Sequence, residues 1–241
     1  MNPELGRVWV YLSTSPLLWL TGTLLAYQIA HVVYTRARFN PLLNPVALAI
    51  ALLIAVLLAT DTPYERYFEG AQFVHFLLGP ATVALAIPLY QQWAKLRRNW
   101  FALLVGILAG SAVAIGTAMG LAQALGASPA TVLSLAPKAV TTPIAMGVAE
   151  KIGGLPSLTA VLVILTGILG AVLGRTVFNW LRIEEHSVRG FALGVTSHGI
   201  GTARAFQVSE EMGAFSGLGM ALSGVLTALL LPFVLRLLGV V

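Results

Sequence analysis

The sequence predicts an all-α polytopic membrane protein, from its composition, its hydropathy and its glycine and proline content. Of 241 residues, 58% are hydrophobic and 10% are charged, whereas soluble domains carry about 25% charged residues. The mean hydropathy is +0.88. The chain has 24 Gly and 12 Pro, which membrane helices tolerate better than soluble helices do. This composition excludes an ordinary soluble enzyme and a disordered chain.

Seven apolar runs bounded by charged residues predict about seven transmembrane helices, because a helix needs about 20 apolar residues to cross a bilayer. The runs lie at residues 7–36, 38–61, 69–95, 98–138, 151–175, 189–204 and 211–236. The fourth run is too long for one helix, and residues 127–154 hold two apolar halves that are each too short to cross. We therefore predict a re-entrant hairpin of broken helices at 126–154, with both of its ends on one side.

The distribution of charge predicts the orientation of the chain. Lysine and arginine concentrate at residues 36–38, 95–98 and 175–189, and Arg236 ends the last run. These loops should be cytoplasmic by the positive-inside rule. Residues 61–69 and the pair Glu210 and Glu211 are mostly acidic and should lie outside. This pattern predicts an external N-terminus and an internal C-terminus.

A short internal echo suggests an inverted repeat. The segment that begins at Gly79 and Pro80 resembles residues 199–204, and each is followed by a polar loop and a small-residue-rich helix. We predict a first span at 1–38, a first repeat at 39–125, the hairpin at 126–154 and a second repeat at 155–241. Inverted repeats with interrupted helices point to the binding site of a secondary transporter.

The segment around Lys138 is the strongest candidate for a binding site. Pro137 and Pro143 break regular helix, and between them lie Lys138, Thr141 and Thr142. A lone cation in apolar surroundings costs a few kcal/mol on insertion scales, at least about 2.5, and normally faces a cavity. The alternative is a lysine that extends to the membrane interface at the end of a hairpin.

A second candidate segment combines glycines with polar side chains. Its residues are Ser197, His198, Gly199, Gly201, Thr202 and Arg204. Hydroxyls, the imidazole and freed backbone N–H groups could surround a small anion. His198 could also carry a proton, or be a buried neutral histidine bonded to a carbonyl. Arg204 suits a carboxylate, or it pairs with Glu210 or Glu211.

Other chemistry is not predicted. Without cysteine, and with four scattered histidines, the chain shows no metal site and no cofactor motif. An enzyme and a nucleic-acid binder are therefore not expected. His31 and His75 are expected to be structural and to face water. The small-residue pairs at 106–110, 116–120 and 170–174 are expected to be helix-packing faces.

Three segments resemble signatures of the LrgB/CidB family. They read LGPATVALAIPLY (residues 78–90), PKAVTTPIA (137–145) and SHGIGTARA (197–205). The resemblance covers about residues 40–238 and is greatest to YohK-like members of Gram-negative inner membranes. The position after Lys138 is commonly serine in the family and is Ala139 here.

The resemblance implies two functions. One is an antiholin-like modulation of murein hydrolases and autolysis. The other is transport, since the plastid member, a fusion with an LrgA-like part, moves glycolate and glycerate. Both imply an LrgA/CidA-type membrane partner in a hetero-oligomer. We expect a secondary transporter of small monocarboxylates resembling pyruvate, glycolate or lactate, because a pore-former needs neither a buried cation nor broken helices. The antiholin-like role is the alternative.

Overall fold

Most of the described residues are helical. The structure is a computed structural model that describes residues 15–37, 39–40, 43–77, 80, 83–84 and 86–240. These residues include no strand, which confirms the predicted all-α class. The helices with defined bounds are α1 (Pro16–Arg36), α2 (Pro45–Ala59), α3 (Tyr64–Phe76), α4 (Ala86–Gln91), α5 (Trp93–Arg98), α6 (Trp100–Ala124), α7 (Pro129–Leu135), α8 (Thr142–Ile152), α9 (Pro156–Trp180), α10 (His186–Phe206) and α11 (Glu210–Leu237).

Four of these helices, α1, α6, α9 and α11, are long and apolar enough to cross a membrane. They contain 21 to 28 residues, or about 31–42 Å at the helical rise, against a hydrocarbon core of about 30 Å. The chain is therefore a membrane protein. The count of seven spans is not confirmed. Helix α2 has only 15 residues, the run at 69–95 includes residues outside the described part, and the run at 189–204 is not a straight helix.

The chain divides into two compact units, Met1–Ala84 and Leu85–Val241. In the first unit, Ala26, Ala30 and Ala49 form a small core between α1 and α2. Asn44 caps α2 because its Oδ1 accepts hydrogen bonds from the N–H groups of residues 46 and 47, at 2.9 and 3.2 Å. The candidate site residues from Pro137 to Arg204 all lie in the second unit.

Three long helices define the two ends of the second unit. Helices α6 and α11 run in the same direction, because Ile107 and Phe215 near their starts share one buried cluster and Met119 and Leu231 near their ends share another. Helix α9 runs the opposite way. We call the end where α6 and α11 begin the Lys95 end, and the end where they finish the Leu235 end.

Helix α10 folds back on itself and forms a hairpin. His198 has φ +41° and ψ −132°, outside the helical region. The Oγ of Ser209 lies 2.8 Å from Nδ1 of His186, although a straight helix over residues 186–206 would be about 30 Å long. We call residues 186–206 hairpin 2, with legs at 186–197 and 199–206. It opens at the Lys95 end, because its second leg returns to where its first leg begins.

Helices α7 and α8 form a second hairpin in the opposite sense. We call residues 129–152 hairpin 1, with its tip at residues 140–142. The open part of hairpin 1 packs Val132, Val148 and Ile152 against Leu231 and Leu235. Hairpin 1 therefore opens at the Leu235 end, and the two hairpins enter the unit from opposite ends.

The predicted placement of Lys95 and Glu211 on opposite sides is wrong. The Nζ of Lys95 donates a hydrogen bond to Oε1 of Glu211 and lies 3.1 Å from Oε1 of Glu185. Charge counting failed because it treated residues 189–204 as a crossing helix, whereas this run turns back at His198. The charge pattern therefore no longer supports an internal C-terminus, and the orientation of the termini stays a prediction.

The inverted repeat predicts opposite directions for the helices that follow residues 79–84 and 199–204. The helices that follow the two segments, α6 and α11, are parallel. The opposed elements in the second unit are instead hairpin 1 and hairpin 2. The repeat boundaries at 39–125 and 155–241 stay a prediction.

Candidate functional site

The tip of hairpin 1 is built from tight turns between its two prolines. The N–H of Lys138 donates to the carbonyl of Leu135 at 3.2 Å, and the N–H of Val140 donates to that of Pro137 at 3.3 Å. Thr141 is extended and starts α8, and Pro143 occupies the first turn of that helix, where its missing N–H costs nothing. The N–H groups of Thr142 and Ile144 have no hydrogen-bond partner among the described residues, so this helix start is available to an anion.

The side chain of Lys138 reaches the middle of α6. Its Nζ lies 3.4 Å from the carbonyl oxygen of Ala114, which is the fifteenth residue of that 25-residue helix. This is a long contact, so the carbonyl holds the ammonium weakly. The hydroxyl of Ser111, one turn earlier on α6, is buried and has no partner among the described residues. Lys138 therefore points into the unit, not out to the membrane interface.

Hairpin 2 approaches the same part of α6. A Cβ added at Gly106 would lie 3.5 Å from the ring of Phe191, and one added at Gly110 would lie 3.4 Å from Val195. The next turn of α6 is Ala114, where Lys138 binds. Since each turn advances about 5.4 Å, the ammonium lies about one turn beyond Val195, at the level of the tip of hairpin 2.

The tip of hairpin 2 is held against α9 by His198. This side chain is 4% exposed, and its Nε2 lies 2.9 Å from the carbonyl oxygen of Val163. A carbonyl only accepts, so Nε2 carries the hydrogen. The arrangement is the one foreseen for a buried histidine bonded to a carbonyl. Gly167 and Gly170 make it possible, since a Cβ at either would lie within 2.7 Å of His198 or Ser197.

Thr202 and Ser216 brace the turn of hairpin 2. The Oγ1 of Thr202 donates to the carbonyl of His198 at 2.9 Å and lies 3.0 Å from Oγ of Ser216. A hydroxyl has one hydrogen, so Ser216 donates to Thr202. Ser197 is fully buried and lies 3.2 Å from the hydroxyl of Thr196. Gly201 lets the two legs touch, because a Cβ there would lie 2.6 Å from Ser197.

The two tips meet on Val163. Its carbonyl accepts from His198 of hairpin 2, and its side chain is buried in one cluster with Val140 and Ala145 of hairpin 1. Val163 is the eighth residue of α9, about 11 Å from the start of that helix. The contact between the hairpins therefore lies well inside the length that crosses the membrane.

Arg204 does not join the tips. It lies six residues beyond His198, or about 9 Å along the second leg, near the open end of hairpin 2. Its Nη1 donates to Oε1 of Gln207 at 3.1 Å. Glu211, one of its two predicted partners, is bonded to Lys95. Arg204 instead lines a cleft with Arg175 and Arg189.

The remaining predicted residues fall outside the site or outside the described part. Gly79 and the side chain of His75 lie outside the described residues, and Pro80 is described only as a helical residue. Gly199 is exposed at the tip of hairpin 2. His31 is half-buried, and its Nδ1 is buried with no partner among the described residues. Its contact with water stays a prediction.

Two polar residues near the tips were missed in the sequence, Ser111 and Ser216. Ser111 lies in α6, whose glycine pairs we assigned to packing, and Ser216 lies in α11, where we predicted no site residue. The only signal for them in the sequence is a serine within an apolar span. This signal is weak, because such serines commonly form a hydrogen bond with the backbone of their own helix. Among the described residues, no group of three acidic or histidine side chains could hold a metal ion.

The helices, the buried polar tips and the apolar exterior define a polytopic membrane protein with two opposed helical hairpins. The model of the LrgB-like family matches residues 23–237. The chain therefore belongs to the LrgB family, as its three motifs indicated.

Two relatives from Bacillus subtilis are similar over most of this chain. The uncharacterized protein YwbG is 39% identical over 73% of this chain and 78% of its own length, and the uncharacterized protein YxaC is 37% identical over 72% and 76%. The antiholin-like protein LrgB of Bacillus cereus is 31% identical over 93% of this chain and 98% of its own length. No solved structure matches the chain.

Proposed function

We propose that this protein is a secondary transporter of small monocarboxylates resembling pyruvate, glycolate or lactate. The observation that supports it most directly is the meeting of two opposed hairpin tips on Val163. Broken helices that end at membrane depth are tolerated where they are buried in protein or line a wet cavity. In secondary transporters such half-helix ends hold the substrate and the coupling ion.

The chemistry of the tips suits one carboxylate. Lys138 supplies one positive charge, and its ammonium has three donors, of which the described residues occupy one. The start of α8 adds the N–H groups of Thr142 and Ile144, with the hydroxyls of Thr141 and Thr142 beside them. A charge-assisted hydrogen bond contributes about 1.5–3 kcal/mol net, enough to select an anion over its neutral acid.

Hairpin 2 would mainly position the site, and its polar side chains would contribute little to binding the substrate. Ser197, His198 and Thr202 are already engaged with α9, α11 and each other. Gly199 leaves the tip open to a ligand, and Gly201 keeps the legs close. Arg204 would act at the Lys95 end, on the entry or exit of the anion.

A small LrgA/CidA-type membrane protein is the proposed partner. The face of α6 at Gly116 and Gly120 has nothing within 4 Å of an added Cβ, so it is free to pack closely against another helix. Co-purification of the two proteins, in a complex with more than one copy of each, would support this proposal. Full transport by the isolated monomer would contradict it.

The alternative function is the antiholin-like modulation of murein hydrolases without transport. It is favoured by the name of the Bacillus cereus relative. This role requires no saturable flux of a small anion. Uptake by the purified protein therefore separates the two functions, provided that autolysis is scored in cells with the same variants.

The decisive experiment measures uptake by Lys138 variants that are reconstituted in proteoliposomes with and without the partner. Lys138→Ala should abolish saturable uptake of labelled pyruvate, glycolate or lactate, because the carboxylate then leaves water with no cation to meet it. Lys138→Arg should retain partial activity at best, since a planar fork does not replace a compact ammonium.

The matched control is Lys151→Ala. Lys151 lies in the last turn of α8 and is exposed, so its loss should leave uptake unchanged. If Lys138→Ala transports like the wild-type protein, Lys138 has no role in binding. If no candidate anion is taken up by the wild-type complex while its variants alter autolysis, the antiholin-like role is favoured.

A further inference from the structure

A cleft lined by three arginines opens at the Lys95 end, between α9 and the open end of hairpin 2. Arg175 comes from α9, Arg189 from the first leg and Arg204 from the second leg. The cleft has a volume of about 290 Å³. The other residues that line it are apolar, and none of them is acidic. Three separate elements thus bring positive charge to one small cavity.

Arg189 is oriented by neutral groups. Arg189 donates through Nε to the carbonyl of Ile183 and through Nη2 to Oδ1 of Asn179 at 2.8 Å. Its guanidinium carbon lies 5.7 Å from the centre of the Phe178 ring. Arg204 donates to the side-chain amide of Gln207. The contacts of Arg189 therefore fix the direction of its guanidinium group and add no negative charge.

Arg175 is the most available of the three. It is exposed, and no hydrogen bond or ion pair joins it to the other described residues. A guanidinium presents a planar fork of donors that fits phosphate oxygens in pairs. Bringing three such groups together costs electrostatic repulsion, which a bound anion with several oxygens would offset.

We propose that this cleft binds a phosphate group at the membrane face, either the head group of an anionic phospholipid or free phosphate. Basic pockets between membrane helices commonly hold such head groups. The apolar lining contributed by Leu193 and Met212 is suited to the glycerol and upper acyl part of a lipid. A phosphate held by all three arginines would tie α9 to both legs of hairpin 2. The proposal does not depend on the transport activity.

The test measures lipid and phosphate binding to the purified full-length protein. The probes are vesicles of phosphatidylglycerol, vesicles of phosphatidylcholine and inorganic phosphate, with bound lipid counted by native mass spectrometry and stability followed by thermal melting. Phosphatidylglycerol should bind and raise the melting temperature, and phosphatidylcholine should not. Arg175→Gln should weaken this binding about tenfold or more, as expected for a lost charge-assisted pair.

Arg182→Gln is the matched control, because Arg182 is exposed near the same end and does not line the cleft. Arg175→Lys retains the charge without the fork and should give an intermediate loss, which separates binding from folding. Competition by inorganic phosphate in the millimolar range would identify free phosphate as a ligand, and its failure beside tight phosphatidylglycerol binding would identify the lipid. Equal losses in Arg175→Gln and Arg182→Gln, or no selective binding of either probe, would overturn the proposal.

Discussion

At the scale of single residues, the two hairpin tips use their polar groups differently. The ammonium of Lys138 has one long contact, with Ala114, whereas the imidazole of His198 is buried and bonded to Val163. A ligand can therefore reach Lys138 without displacing a strong protein contact. Binding to His198 would first have to break the contact that holds hairpin 2 on α9. This contrast favours Lys138 as a binding residue and His198 as a positioning residue.

The backbone of His198 leads to a prediction about stability. Its φ of +41° lies in a region that costs a side-chain-bearing residue about 1–3 kcal/mol, and glycine adopts it freely. Both His198→Gly and His198→Ala lose the bond to Val163, but only the alanine variant keeps the strain. We expect the glycine variant to melt at the higher temperature, measured by scanning fluorimetry in detergent.

The control for this pair is Ala203, an exposed residue within the second leg. Inside a helix glycine is less stable than alanine by about 0.8–1.0 kcal/mol, so Ala203→Gly should lower the melting temperature. A higher melting temperature for His198→Ala than for His198→Gly would show that the turn is an ordinary helical one.

The sequence singled out most residues of the proposed site but not how they are arranged. Two prolines and a lone cation in an apolar run indicate a broken helix. This pattern drew attention to Lys138, Thr141 and Thr142. Ser216 was not predictable, because its role depends on the position of Thr202, 14 residues away along the chain. The distance of Arg204 from the tip was not predictable, because the reversal at His198 depends on its backbone angles.

At the scale of elements, the first leg of hairpin 2 packs backbone to backbone on α11. A Cβ added at Gly190 would lie 2.1 Å from the carbonyl oxygen of Met212, and one at Gly194 would lie 2.0 Å from that of Ser216. Contacts this close require glycine on one helix, as in small-residue faces of membrane helices generally. The position of the tip of hairpin 2 therefore depends on Gly190 and Gly194, which lie earlier in its first leg.

Gly194→Ala should disrupt both this packing and the site. Overpacking a close contact costs about 1–3 kcal/mol, and the atom in the way is backbone, which cannot rotate aside. We expect a lower melting temperature and reduced uptake, measured on the same purified variant. Gly116→Ala is the control, because an added Cβ there meets nothing within 4 Å. Equal melting temperatures for the two variants would contradict the packing.

The ion contacts at the Lys95 end lead to a prediction about pH. Hydrogen bonds that Lys95 donates to Glu211 and then to Glu185 raise the pKa of Lys95. The hydroxyl of Ser187 and then the ammonium of Lys95 lower the pKa of Glu185. The stabilisation from Glu185 is therefore lost as pH falls through its lowered pKa, and that from Lys95 is lost as pH rises through its raised pKa. Between these limits the contacts persist.

We expect Lys95→Met to lower the melting temperature near neutral pH, because it frees the starts of hairpin 2 and α11 from each other. The difference from the wild-type protein should shrink as pH falls through the lowered pKa of Glu185. Arg97→Met is the control, since Arg97 is exposed on the same short helix. A difference that changes between about pH 6 and pH 8 would contradict this assignment, because neither group titrates there.

At the scale of the whole molecule, hydropathy predicted the class and most of the long helices but not the path of the chain. Runs of apolar residues report which segments avoid water, and α6, α9 and α11 each match such a run. A reversal inside one run leaves hydropathy unchanged, so hairpin 2 was counted as a crossing helix. Hairpin 1 was predictable because its apolar run is too long for one helix and contains two prolines.

The reversal at His198 changes the predicted position of the C-terminus. Helix α11 has 28 residues, or about 42 Å, and starts beside Lys95. Its last turn should therefore emerge on the face opposite Lys95. Because the chain has no cysteine, single-cysteine variants report this directly. In oriented membrane vesicles, Arg182→Cys and Glu210→Cys should react with an impermeant maleimide from one side, and Ala127→Cys and Gly239→Cys from the other. Glu210→Cys and Ala127→Cys reacting from the same side would show that residues 189–204 cross the membrane after all.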